Sequence, residues 1–274
     1  MARSGRTATL VLGAVCCLAC VPSARPAADP DPVDLVKRSI EAERVNRARA
    51  SSYLYTEDIT RTAVHGGRAV ERSAQRYEVI FLAGEAYYRL VGRDGSPLSP
   101  EEEEEERRRM ETVAADRRAG RLPFASPAER PRVSLVYRIL PESHRIRLLG
   151  PETMMGRETW KVEAVPEHGG NSGGLNEKET RAMRVTLWID KETLLRVRQD
   201  AAMTKKAGRL DKGSWLSYRF APQPDGVWLV REIIYRAPIG RAKDGERYRE
   251  TEQVYSNYHK FQADSNVLPG TVKE

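Results

Sequence analysis

Two stretches decide the fold: Met183-Arg184-Val185-Thr186-Leu187-Trp188-Ile189-Asp190 and Val227-Trp228-Leu229-Val230-Arg231-Glu232-Ile233-Ile234-Tyr235-Arg236-Ala237. In the first, Val185, Leu187 and Ile189 alternate with Arg184, Thr186 and Trp188, the period of a strand with one face turned inward. In the second, Leu229, Ile233 and Tyr235 oppose Trp228, Val230 and Ile234, so large apolar groups stand on both faces, interrupted by Arg231 and Glu232. A sheet wet on one side alternates more cleanly. The pattern admits a central strand covered on both sides, or a curved sheet whose concave face lines an apolar groove. For the groove, Trp188, Tyr218, Phe220, Trp228 and Ile234 are the candidate walls and ligand-binding residues.

Working outward, the same strand signature covers most of the chain. Towards the C-terminus, Leu195 to Met203, Ser214 to Ala221 and Arg247 to Phe261 read as strands, divided by turn signals at Gly208, Pro224-Asp225-Gly226 and Asp244-Gly245. On the N-terminal side, Thr159 to Val165 and a segment from Ile146 onward are strands. Earlier still, Tyr53 to Ala63, Arg68 to Leu82 and Ala86 to Val91 make a meander turned at His65-Gly66-Gly67, Gly84 and Arg93-Asp94-Gly95.

Helices gather early. Asp31-Pro32 and Ser99-Pro100 each set a cap residue before a proline at the first helical position. The first helix puts Val33, Val36 and Ile40 on one face and fades near Ala50; a third is predicted over Pro127 to Leu140. The second carries Glu101 to Glu106 followed by Arg107, Arg108 and Arg109. Acid at its start and base one turn later suit the helix dipole and the pairs Glu103–Arg107 and Glu104–Arg108. That run is read as a solvated, self-paired insertion near residues 99–120; calcium loops alternate ligands around a sharp glycine turn, and this one does not. Strands in a long antiparallel series with helices set apart from them indicate an α+β architecture.

At the N-terminus, Arg3 and Arg6 precede an apolar run from Ala8 to Val21 and then Pro22-Ser23-Ala24, the layout of an export signal peptide ending near residue 28. The run falls short of the roughly 20 apolar residues of a membrane span. All three cysteines, Cys16, Cys17 and Cys20, lie inside it. Leu18-Ala19-Cys20 resembles the end of a bacterial lipobox, whose cysteine becomes acylated, although Cys17 stands where a branched apolar residue is usual. Ordinary cleavage between Ser23 and Ala28 is the alternative. Either way the domain from 29 to 274 is expected to fold as one unit without disulfides, on its own core.

The chain holds 46 Lys and Arg against 39 Asp and Glu, and losing the leader's three arginines leaves 43 against 39. This is a mild basic excess, suited to anionic lipid head groups and unlike a nucleic-acid-binding stripe. Chemistry-bearing motifs are sparse. Gly170-Asn171-Ser172-Gly173-Gly174 has the form seen around a serine-protease nucleophile, and Thr62-Ala63-Val64-His65 resembles the stretch that carries its histidine. A triad needs serine, histidine and a buried acid to converge, yet Asp94 and Asp116 sit in a turn and a polar helix; the glycines and asparagine equally fit a hairpin loop. His65, His144, His168 and His259 lack metal-ligand spacing. Glu250 and Glu252 share one strand face, a pattern common on wet sheets. No cofactor or metal is expected.

Gly156-Arg157-Glu158-Thr159-Trp160 entering a strand, Leu187-Trp188-Ile189-Asp190-Lys191-Glu192-Thr193 and the ending Tyr255-Ser256-Asn257-Tyr258-His259-Lys260-Phe261 together carry a family likeness. With the order of elements, they resemble the bacterial outer-membrane lipoprotein-sorting proteins of the LolA/LolB-like superfamily. The resemblance implies an antiparallel half-barrel with helices against its concave side and an apolar cavity for acyl chains. It transfers no individual site residue. The expectation is a non-catalytic envelope protein, periplasmic or membrane-anchored, binding lipid or acylated lipoprotein. An envelope sensor or adaptor with a protein partner, and a secreted hydrolase using Ser172, are the alternatives.

Overall fold

The computed structural model describes residues 29–82, 85–121, 137–167, 175–242 and 245–261. Residues 1–28, expected to be an export signal and including Cys20, the segment with Ser172 and most of the helix expected over 127–140 lie outside these residues. The strands are β1 (Tyr53–His65), β2 (Arg68–Leu82), β3 (Glu85–Arg93), β4 (Ser96–Pro97), β5 (His144–Met154), β6 (Arg157–Pro166), β7 (Met183–Asp190), β8 (Arg196–Met203), β9 (Trp215–Pro222), β10 (Trp228–Ala242) and β11 (Gly245–Lys260). The helices are α1 (Pro32–Ala50), α2 (Pro100–Arg118), α3 (Leu140–Ser143) and α4 (Leu175–Thr180). The two-residue β4 and the short α4 are additions to what the sequence suggests.

All eleven strands form one antiparallel sheet in the order β4-β3-β2-β1-β11-β10-β9-β8-β7-β6-β5. Every hairpin is sequential except the pairing of β1 with β11, which places the first long strand beside the last. With β4 and β5 at opposite edges the sheet stays open, an α+β half-barrel. The tight turn at Gly66-Gly67 has φ of 55° and 77°, the left-handed pair that a two-residue hairpin with the strands' own twist requires.

The register fixes which residues share a face. Leu148, Val162, Leu187, Gln199, Tyr218, Ile233, Gln253, Ile59 and Gln75 are successive cross-strand partners from β5 to β2, so they stand on one side. Leu35 and Val36 of α1 and Leu140 of α3 pack into the same core cluster as Val162, Leu187, Tyr218 and Ile233. This helix-bearing side is the inner face. The Asp31 carboxylate caps α1 by accepting the Asp34 N–H at 2.8 Å, and apolar spacing from Val33 to Ile40 then turns one stripe onto the sheet.

α2 lies along the other edge. A capping box opens it, with Ser99 Oγ accepting the Glu102 N–H and Glu102 accepting the Ser99 N–H. Its Met110, Val113 and Ala114 pack on Ile80, Leu82 and Tyr87, which by alternation belong to the outer face of β2 and β3. β4 pairs only with Gly92 and Arg93, leaving backbone groups of β3 open. Glu106 accepts the Leu90 N–H, while Arg109 and Arg117 donate to the carbonyls of Tyr88 and Ala86. The charged helix therefore shields an edge strand that would otherwise template pairing with another chain. Of its expected ion pairs, Glu104–Arg108 forms at 4.0 Å, whereas Arg107 turns to Glu104 and Glu111.

Candidate functional site

The inner face has two unlike halves. Across β1 to β3 and β11 it is rich in tyrosine. The ring of Tyr55 lies 5.5 Å from that of Tyr255 and 5.4 Å from that of Tyr258, which in turn meets Tyr53 edge-on at 6.3 Å. Ile59, Tyr77 and Leu90 continue this wall and are closed over by Leu98, just ahead of α2. Burial, only partly offset by nearby arginines, raises the Tyr77 phenol above its ordinary range.

Across β5 to β10 the face is packed against α1 and α3, and at its centre is an ion pair. Arg196, 3 % exposed, is held by both carboxylate oxygens of Glu43 from α1 and by the Gln199 side-chain oxygen. Its guanidinium lies 4.1 Å from the Tyr137 ring centroid and 4.9 Å from that of Phe220. Burial alone would lower the arginine's affinity for its proton, but Glu43 outweighs it and the net shift is upward. The Tyr218 phenol, directly opposite Gln199 on the neighbouring strand, is pushed up by burial. Its hydroxyl, like Gln199 Nε2, has no hydrogen-bond partner among the described residues. Hydrogen-bonding capacity therefore remains in the interior beside the ion pair.

α1 is tied to the sheet a second time where β10 begins. The Asn46 amide donates to the Trp228 carbonyl at 2.7 Å and accepts the Trp228 N–H at 2.8 Å. The β10–β11 pairing starts only at Glu232, so Asn46 supplies the partners that a neighbouring strand would otherwise give. One turn on, Arg49 donates to the Asp225 carbonyl at 2.8 Å. The Asp225 carboxylate, bonded by Lys260 at 2.6 Å, is held down to about 2.

The structure divides the groove residues named from sequence. Tyr218 and Phe220 stand on the inner face, their rings 6.3 Å apart. Trp188 pairs with Lys161 and Arg198 and Ile234 with Ser217 and Glu252, each one position off the inner row, so both face outward. Trp188 lies between the Lys161 ammonium at 5.2 Å and the Arg198 guanidinium at 5.0 Å. Trp228 packs at the end of the sheet, where Ala42 of α1 and Phe220 meet Trp188, Leu195 and Val197.

The Glu43–Arg196 pair and the tyrosine wall were not named from sequence. Glu43 follows Val36 and Ile40 at helical spacing, a carboxylate on the buried stripe, which is a signal in itself. Tyr55 and Tyr255 could be matched only by knowing that β1 pairs with β11.

His65 stands at the β1–β2 turn, opposite Arg68 and Arg247. Asp94, at the β3–β4 turn, accepts the Ala74 N–H at 2.7 Å. Among the described residues no group of three or more His, Cys, Asp or Glu could hold a metal ion, and no helix is long and apolar enough to cross a membrane.

No family model matches the chain. No curated protein matches it either. Solved structures do. A protein described as an outer membrane lipoprotein-sorting domain, from Vibrio parahaemolyticus, is 13% identical over 83% of this chain and 94% of its own, with a TM-score of 0.39. A LolA-superfamily protein from Nitrosomonas europaea is 10% identical over 83% of this chain and 94% of its own, at 0.36. A DUF1329-family protein from Desulfovibrio piger is 16% identical over 87% of this chain and 95% of its own, at 0.33. These are among the structures to which the chain is similar, and the likeness is one of fold.

Proposed function

We propose that this is an exported, non-catalytic cell-envelope protein that holds the acyl chains of a lipid or lipoprotein against the inner face of its half-barrel. The supporting observation is the inner wall itself. Aliphatic and aromatic side chains dominate it across β1 to β3 and β9 to β11, from Val79 and Tyr77 through Ile59, Tyr255 and Ile233 to Tyr218, with the buried Glu57 and Gln253 set among them. An acyl chain transferred from water to such a surface gains about 0.8 kcal/mol per methylene, enough over a long chain to hold it in an aqueous compartment. α1, which covers part of the wall, is held by the packing of Leu35 and Val36 and by side-chain hydrogen bonds and ion pairs, and it contains no cysteine. The layout of residues 1–28 supports export, with Cys20 as the lipid attachment point if the lipobox is used.

The test is native mass spectrometry of the mature protein purified from its own envelope, before and after organic extraction. A co-purifying mass that leaves on extraction and contains acyl chains is the expected result and names the cargo. A mass that resists extraction and maps to Cys20 establishes the anchor. A protein recovered empty, which then fails to take up a fluorescent fatty acid, overturns the acyl-binding reading.

A further inference from the structure

Four strands, β2, β1, β11 and β10, run on beyond their neighbours, and their two faces differ in charge. On the outer face carboxylates are matched with arginines, Asp58 with Arg76 at 2.7 Å and Glu250 with Arg236 at 2.6 Å. The register puts a different set on the inner face. Arg68, His65, Arg247 and Gly240 form one cross-strand row, and Glu71, Ala63, Arg249 and Ala237 form the next. Arg61 stands in the third, between Ser73 and Thr251. The fourth row is Gln75, Ile59, Gln253 and Ile233, half amide and half aliphatic, and the next holds Tyr77, Glu57 and Tyr255, where the aromatic wall begins. Four arginines thus face the same way, with Glu71 the only carboxylate in their rows.

Arg68 and Arg249 are exposed and make no ion pair among the described residues; Arg61 is half-buried and donates to the Gln75 side-chain oxygen at 2.7 Å. Between the arginines stand small residues. Gly240, at φ 115°, leaves open space where a side chain would begin. Strand spacing of about 5 Å and rise of about 3.4 Å per residue set neighbouring guanidinium stems roughly 7–10 Å apart. That span lets two of them close on one phosphate from either side, the geometry in which arginine binds most strongly.

We propose that these arginines recognise the anionic head group of the amphiphile whose chains occupy the apolar wall, so that the cargo is an acidic lipid or acidic acylated molecule and not a neutral one. The inference rests on the acyl-binding reading given above. It follows from continuity along one face: the arginine rows give way, through the row of Gln75 and Gln253, to the aromatic and aliphatic wall around the buried Glu57, matching a ligand with a charged end and a largely apolar end. An acidic protein segment would need no such junction.

The test compares lysophosphatidylglycerol with lysophosphatidylcholine of equal chain length, titrated into the mature protein at about 0.15 M salt, where long-range attraction is screened beyond roughly 8 Å. The variant R61Q/R68Q/R249Q is set against R72Q/R118Q/R145Q, which removes equal charge from other exposed positions. The wild type should bind the anionic lipid at least tenfold more tightly, about what one retained charge-assisted contact supplies. The inner variant should lose that preference while keeping its affinity for lysophosphatidylcholine; the control should keep both. Equal wild-type affinity for the two lipids, or an inner variant that discriminates as the wild type does, overturns the inference and leaves acyl binding standing. Glycerophosphoglycerol binding as tightly as its lipid parent overturns it as well, because the site then takes a soluble anion. If neither lysolipid binds, the acyl-binding reading has failed and this one with it.

Discussion

Arg157 and Asp190 join the segments Gly156–Trp160 and Leu187–Thr193: the Arg157 guanidinium donates to both Asp190 carboxylate oxygens, at 2.7 and 3.0 Å. Asp190 is 2 % exposed and also accepts the Thr193 N–H and hydroxyl, each at 2.8 Å. One carboxylate thereby shapes the β7–β8 turn and fastens β6 to it. Glycine before Arg157 and threonine three residues after Asp190 are parts of the same device.

Asp190 should make stability depend on pH. Burial pushes its carboxyl up, but the bonds from Arg157 and Thr193 outweigh burial and hold it below the ordinary range. A depressed carboxyl contributes stability above the unfolded value of about 3.9, lost as pH falls through the folded value. Urea unfolding followed from pH 7 to pH 2 should therefore show a steeper acid loss in the wild type than in D190N. At pH 7, D190N should be less stable by about 1–3 kcal/mol. Parallel acid limbs for the two proteins would show that Asp190 is not the group responsible.

Removing Glu43 should be far more damaging than removing the whole ion pair. E43Q leaves the buried Arg196 charge without its counter-ion, a change that costs about 3–5 kcal/mol where a buried pair is broken. E43L/R196M replaces both partners with apolar groups of similar volume and should recover most of that loss. Hydrogen exchange of residues 32–50 reads the consequence locally, because α1 is the element that Glu43 fastens. Faster exchange in E43Q than in E43L/R196M is expected; the reverse order would mean that the pair stabilises the sheet by itself and α1 only incidentally.

Asn46 tests a different tie. N46A strips both partners from the Trp228 backbone where no strand pairs with it, and should cost about 1–3 kcal/mol. N46D keeps the acceptor for the Trp228 N–H but sets a carboxylate against the Trp228 carbonyl, so it should be no more stable than N46A at pH 7. N46D matching the wild type in urea midpoint would show that only the N–H needs satisfying.

Much of the sheet could be read directly because each strand has its own alternation and its own turn. Tyr53, Arg68 and Met183 begin strands where their sequence says they should. The inner face was less legible. Trp188 and Ile234 look like groove residues by size, yet a side chain's face depends on register with neighbours, and a bulge such as that between Val230 and Glu232 resets the alternation. The tyrosine wall and the arginine rows depend on β1 meeting β11 across about 200 residues of chain, a contact that no local pattern encodes. The charged helix illustrates the converse. Glu106, Arg109 and Arg117 look like any others in the run, and only the gap beside β4 gives them backbone partners.

Met155 offers a gain in stability. It occupies the β5–β6 turn with Gly156 at φ of 51° and 77°, and it is 45 % exposed. Both positions of this turn are left-handed, and an L-residue other than glycine or asparagine pays about 1–2 kcal/mol there. Asn-Gly is the favoured pair for such a two-residue hairpin. M155N should therefore raise stability by about 1 kcal/mol, equivalent to roughly 2–4 °C in Tm for a domain of this size. Lysolipid affinity should be untouched, because the turn lies away from the arginine rows. A lower Tm would show that the Met155 side chain packs on the hairpin more strongly than its backbone conformation costs.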